Sequence, residues 1–152
     1  MKKIKSFEVD HTKIFPGIYV SRVDGDIVTY DFRMVTPNSG EYLENDGIHT
    51  LEHLLASFLR NSEFEKNIIY VGPMGCRTGF YILVKNMSNA QVLDLLQRAC
   101  IFIADFEGDI PGATKQECGN YLEHNLSKAK FYARKMCDVI KNIGSEDMHY
   151  PL

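Results

Sequence analysis

The sequence predicts an α+β fold: a single domain over residues 1–152, with a mostly antiparallel sheet packed against helices. Three observations predict it. Four segments rich in β-branched and aromatic residues fall into two pairs, each joined by a short glycine-bearing connection. Three further segments carry apolar residues at helical spacing. No strand–helix–strand unit repeats, as a parallel sheet would require.

In chain order, residues 18–23 read as a strand, Asp24 and Gly25 as a tight turn, and residues 27–35 as the returning strand. Val28, Tyr30, Phe32 and Met34 share the core side of that second strand, whereas Thr29, Asp31 and Arg33 share the other. Arg33 by itself therefore reads as a solvated strand charge. After a loop at residues 36–40 comes an amphipathic helix whose stripe is Ile48, Leu51, Leu55, Phe58 and Leu59. Asp46 is its expected N-cap, and Asn61 with Ser62 its stop.

Residues 68–71 and 80–84 form the second strand pair, flanking a connection that holds Cys76 at its tip between Gly75 and Gly79. These glycines would let the backbone approach another group closely. Ser88 then caps a helix over residues 89–106, with Val92, Leu96, Ala99 and Ile103 on one side and Cys100 near that stripe, and residues 108–112 end it. Leu126, Ala129, Ala133, Met136, Ile140 and Ile143 mark the last helix. His124 reads as a polar surface residue, and His149 as part of a mobile tail.

A formal net charge of -3 and a pI near 5.9 argue against nucleic acid or an anionic membrane as the main partner. Lys2, Lys3 and Lys5 resemble the start of a signal peptide, but Glu8 and Asp10 fall where its apolar core would lie. No run approaches the length of a membrane span, so a cytoplasmic location is expected. In that reducing compartment Cys76, Cys100, Cys118 and Cys137 would be ligands, nucleophiles or core fillers rather than disulfide partners.

The chemistry-bearing stretch is His49, Glu52 and His53. Two imidazoles one helical turn apart project from the same face, and the glutamate lies within reach of both. This H-x-x-E-H spacing suits a metal ion with a proton-handling carboxylate beside it, and it equally describes two histidines at the edge of a packed helix. Cys76 stands next to Arg77, whose charge would favour a reactive thiol; the other reading is a small buried hydrophobe. Cys118, followed by Gly119 at an element boundary, could reach across to the first helix.

Taken together, the stretches 6–11, 31–33, 48–56, 73–81 and 118–119 resemble the S-ribosylhomocysteine lyase (LuxS) family, in the right order and over nearly the whole chain. The resemblance implies Fe2+ held by His49, His53 and Cys118 with a fourth position open, Zn2+ or Co2+ being able to substitute. It implies that Cys76 and Glu52 are the acid/base pair, and that Ser6, His11 and Arg33 contact the sugar of S-ribosylhomocysteine. It further implies a homodimer with active sites at the interface. The products would be homocysteine and 4,5-dihydroxy-2,3-pentanedione, the precursor of autoinducer-2, which would link the protein to the methyl cycle and quorum sensing. Tyr70 and Thr29 depart from some relatives, which carry aspartate and lysine there. No organic cofactor is implied, in keeping with the lack of a dinucleotide or Walker-type loop.

Two other readings fit parts of the sequence. H-x-x-E-H also marks metallopeptidases, where a downstream glutamate such as Glu123 would be the third ligand. A non-catalytic metal module would close its site with a fourth protein ligand, Cys76 or His124.

Overall fold

The computed structural model describes residues 1–151. Four strands, β1 (Gly17–Asp24), β2 (Ile27–Arg33), β3 (Ile68–Pro73) and β4 (Gly79–Lys85), form one antiparallel sheet in the order β1-β2-β4-β3. Three long helices, α2 (Asn45–Arg60), α3 (Asn89–Ala104) and α4 (Leu126–Ile140), cover one face, and a single turn, α1 (Lys5–Glu8), precedes the sheet. The expected α+β architecture is what forms.

Period-two alternation decides which face is covered. Tyr30 and Phe32 on β2, with Phe80 and Ile82 on β4, point into a core shared with Leu54, Leu55 and Leu59 of α2 and Leu95, Leu96 and Ile103 of α3. Each such side chain contributes about 1.5–3 kcal/mol when fully buried. Residues 29, 31 and 33 therefore face away from the helices.

Local signals explain the ends of the elements. The Ser88 hydroxyl accepts from Gln91 N at 3.1 Å while the Gln91 side chain accepts from Ser88 N at 2.9 Å, a complete capping box. That helix stops at Ala104, two residues before the expected Phe106. Asp46 is not the N-cap of α2: the helix begins at Asn45 after Glu44, and the Asp46 carboxylate is drawn instead to Lys128 Nζ of α4, at 3.0 and 3.1 Å. A tertiary ion pair takes the side chain that a lone helix would use as its cap.

The tail also departs from expectation. The Met148 carbonyl accepts from Val20 N at 2.9 Å, the Met148 side chain is buried, and the Tyr150 ring stacks on Tyr19 with centroids 5.2 Å apart. The chain end is thus pinned across the otherwise unpaired edge of β1, with His149 left exposed between the buried Met148 and the half-buried Tyr150.

Candidate active site

His49 and His53 stand on the outer side of α2, half-buried, because Ile48, Leu51, Leu54 and Leu55 commit the opposite side to the core. Each ring is aimed from behind. His49 Nδ1 donates to the Glu123 carbonyl and His53 Nδ1 to the Pro111 carbonyl, both at 2.8 Å. With the proton fixed on Nδ1, each Nε2 presents its lone pair to the Cys118 sulfur, 3.3 Å from His49 and 3.9 Å from His53. Gly112 makes this packing possible: its φ is +69°, and a Cβ there would stand 3.3 Å from His53 Nδ1.

Cys118 arrives on the loop between α3 and α4. Its amide donates to the Thr114 carbonyl at 3.0 Å, and its sulfur accepts from Asn120 N at 3.4 Å. Two imidazole nitrogens and a thiol sulfur converging in this way are the donor set of a transition-metal site. Glu52 and His53 line a shallow depression of ≈ 420 Å³ with Pro111, Gly112 and Glu117, and the Glu52 carboxylate has no hydrogen-bond partner among the described residues. The sequence-derived trio and its neighbouring carboxylate therefore gather in one place.

His124 belongs to the same cluster, contrary to its reading as a surface residue. Its ring stacks on His49 at 3.9 Å between centroids and meets His53 edge-on at 4.7 Å. Its Nδ1 is paired with the Thr50 hydroxyl at 2.9 Å, whereas its Nε2 is buried without a partner. Potential ligand atoms of His49, His53, Cys118 and His124 all lie within 4.8 Å of one another. Burial, with the imidazoles of His49 and His53 close by, pushes His124 down to about 4, so the ring is neutral at neutral pH. The C-x-x-x-x-x-H spacing from Cys118 was the available signal. The Glu123 side chain points elsewhere, accepting from Asn120 Nδ2 at 3.2 Å, and it is Cys118 that completes the trio.

Cys76 is exposed, so it is not the small buried hydrophobe that a free cysteine usually becomes. Its sulfur lies 3.0 Å from Thr78 Oγ1. That oxygen accepts from Arg33 NH1 at 2.8 Å, which leaves the hydroxyl proton free for the sulfur. Arg77, the expected electrostatic neighbour, turns away: it lies over the Tyr42 ring and donates to the Leu43 carbonyl. Gly75 has open space around it, whereas a Cβ on Gly79 would collide with the Phe32 carbonyl, so Gly79 is the glycine that permits close approach.

Arg33 is not a solvated charge. It is 2% exposed, and its NH2 donates to Asp31 Oδ2 at 2.6 Å, Asp31 itself being 0% exposed. The pair lies on the face of β2 away from the helices, covered by tyrosines; Tyr150 donates its hydroxyl to Asp31 Oδ2 at 2.6 Å. Burial alone would lower the Arg33 guanidinium, but the Asp31 carboxylate outweighs it and holds the charge in place. Sequence reading missed Asp31, Thr78 and Tyr150. Opposite charges two apart on an apolar strand were the one signal for the first.

Ser6 lines a separate depression on the sheet's helix-free face, with Thr29 and Tyr81, and His11 Nδ1 donates to the Val9 carbonyl at 2.9 Å. Neither is joined to the histidine–cysteine cluster by a hydrogen bond among the described residues. The same holds for Cys76 and its network.

Comparison with known proteins identifies the family. The family described as S-Ribosylhomocysteinase (LuxS) matches residues 4–146. A protein of Finegoldia magna named S-ribosylhomocysteine lyase is 47% identical, the match covering 99% of both chains. Proteins of the same name from Borreliella afzelii and Clostridium acetobutylicum are 46% and 43% identical over 99% of this chain, covering 100% and 99% of their own. The chain belongs to the S-ribosylhomocysteinase (LuxS) family.

Proposed function

We propose that this protein is an S-ribosylhomocysteine lyase, a carbon–sulfur lyase that releases homocysteine and 4,5-dihydroxy-2,3-pentanedione. The observation that carries the reading is the convergence of His49 Nε2, His53 Nε2 and Cys118 Sγ beside an unpaired Glu52, in a chain of this family. These three atoms are the proposed ligands of a divalent ion, Fe2+ in the cell, with Zn2+ or Co2+ as substitutes; zinc is favoured by the usual affinity order in isolated protein. Such an ion supplies Lewis acidity to the sugar's carbonyl oxygen.

Homocysteine cannot leave until the carbonyl has moved from carbon 1 to carbon 3, because only then is the neighbouring proton acidic. Cys76 is the group proposed to take a proton from one carbon and return it to the next, in two successive aldose–ketose shifts. The Thr78 hydroxyl, aimed at the sulfur, stabilises it as the proton leaves. Glu52 carries protons between the enediol oxygens and assists the final β-elimination. The whole sequence is redox-neutral and consumes no organic cofactor.

The active form is proposed to be a homodimer. His49, Glu52 and His53 lie on the outer side of α2, behind the helix layer, whereas Arg33 and the tyrosines above it lie across the sheet. A second subunit brings Cys76, Ser6 and His11 to the metal-bearing cleft. Ser6, His11 and Arg33 are assigned to the sugar, as the family resemblance implies; within this chain Arg33 is 2% exposed and bonded to Asp31 and Thr78. The chain has no helix long and apolar enough to cross a membrane among its described residues, in keeping with a cytoplasmic enzyme of the methyl cycle whose product feeds autoinducer-2 synthesis.

A free-thiol assay with purified S-ribosylhomocysteine tests the assignment. Metal-loaded protein should release homocysteine and lose that activity on chelation. Cys76→Ala should keep its metal and stop turning over, whereas His53→Ala should fail to hold metal. Parental turnover in Cys76→Ala would remove the thiol from the mechanism.

A further inference from the structure

The buried ion pair on the helix-free face has a third member that the reaction does not require in any obvious way. Tyr150 comes from the tail beyond α4. Met148 anchors that tail through its carbonyl on Val20 and its buried side chain, and the phenol lies flat on Tyr19. From there its hydroxyl reaches Asp31 Oδ2 at 2.6 Å, the same oxygen that receives Arg33 NH2. The result is a continuous line of hydrogen bonds: Tyr150 to Asp31, Asp31 to Arg33, Arg33 to Thr78, and Thr78 to the Cys76 sulfur.

We propose that Tyr150 is a positioning residue for Cys76, acting through Asp31 and Arg33 on the hydroxyl that faces the sulfur. This rests on the reading of Cys76 as the proton-carrying group. The physical basis is competition for one carboxylate. Asp31 Oδ1 is buried without a partner, as is Arg33 Nε, so Oδ2 divides its accepting capacity between the phenol and the guanidinium. While Tyr150 donates, part of the carboxylate's charge is engaged away from Arg33, and more of the guanidinium's field reaches Thr78 and the thiol. Without that donor, Asp31 cancels Arg33 more completely, and the sulfur loses electrostatic support.

The phenol is held in the donating state. Burial and the Asp31 carboxylate push Tyr150 up, and the same two influences raise Tyr81 on β4 and, more weakly for the carboxylate, Tyr19 on β1. Every titratable group facing the line is thus accounted for: Tyr19 from β1, Asp31 and Arg33 from β2, Cys76 and Tyr81 from the β3–β4 connection and β4, and Tyr150 from the tail. None of the phenols ionises in the range where the enzyme would work.

Tyr150→Phe tests the proposal because it keeps the ring on Tyr19 and deletes only the donor. The readout is iodoacetamide alkylation of Cys76 in metal-loaded protein, followed by peptide mass spectrometry from pH 5 to 10. The expected result is a midpoint displaced upward by about half a pH unit, equivalent to roughly threefold less thiolate below the midpoint. In the lyase assay kcat should fall about threefold with KM unchanged. Tyr19→Phe, whose hydroxyl serves only the Phe15 carbonyl at 2.7 Å, should leave the midpoint in place. In an Asp31→Asn background, Tyr150→Phe should add no further displacement, since the shared carboxylate is gone. A Tyr150→Phe profile that overlays the parent's would overturn the proposal whatever the melting temperature does, and displaced profiles in the Asp31→Asn background would remove Asp31 as the intermediary. Alkylation is read without substrate, so a failure of the lyase reading would leave this result standing.

Discussion

Desolvated beside two other imidazoles, the His124 ring resists taking up a proton. Its folded value of about 4 lies below the ordinary 6.5, so as pH falls the unfolded chain takes up the proton first. The stability this residue contributes is complete above about 6.5 and is lost as pH falls toward 4. Urea midpoints of metal-free protein at pH 7 and pH 5 should therefore drop more for the parent than for His124→Gln, and equal drops would dismiss the effect. Single residues were also where sequence reading was least complete. His49, Glu52 and His53 were legible because their spacing puts them on one helix face, a purely local fact. His124 and Arg33 were not, because what buries them comes from far along the chain: Thr50 and His49 for one, Thr78 and Tyr150 for the other. A charged residue on the polar side of a strand reads as solvated until something is known to cover that side.

Elements were easier to read than residues, since hydrophobic period and capping are local. The four strands, the hairpin turn and the Ser88 cap all follow from them, the turn falling at Gly25–Asp26, one residue later than expected, because Asp24 still pairs with Ile27. The junction of α2 with α4 does not, and it is the junction that aligns the histidine–cysteine cluster. At Gly47 the two helices approach so closely that a Cβ would stand 2.7 Å from Tyr132 Cε2 and 2.8 Å from Lys128 Cβ. Replacing glycine with alanine inside a helix ordinarily gains about 1 kcal/mol. Here Lys128 Cβ is tied to the α4 backbone and cannot swing aside, so Gly47→Ala should instead cost about 1–3 kcal/mol through overpacking. The displacement would also carry α4 outward with Asn125, whose amide bonds to Thr50 Oγ1, and with the Glu123 carbonyl that aims His49. Urea denaturation and competition with a chelator should accordingly report lower stability and weaker metal binding together; a more stable variant with parental metal affinity would refute the account.

For the whole molecule, the sheet is the organising fact, because it separates two half-sites within one chain. On the helical side stand the proposed ligands and Glu52; on the other stand Arg33 and Asp31, linked through Thr78 to Cys76. Under the proposed homodimer the two halves of a cleft come from two subunits, and this can be decided without a structure of the dimer. Cys76→Ala retains a good metal site and lacks the thiol, while His53→Ala retains the thiol and lacks the metal, so each homodimer should be inactive. If each cleft combines the metal of one subunit with the thiol of its partner, a mixed dimer owns one intact cleft, built from the good half of each chain. Random pairing of equal amounts makes half the dimers mixed, each with one of two sites working, so co-expressed variants should recover about a quarter of the parental activity per subunit. If instead metal and thiol serve the same cleft from the same chain, no pairing assembles an intact site and the mixture stays as inactive as its components.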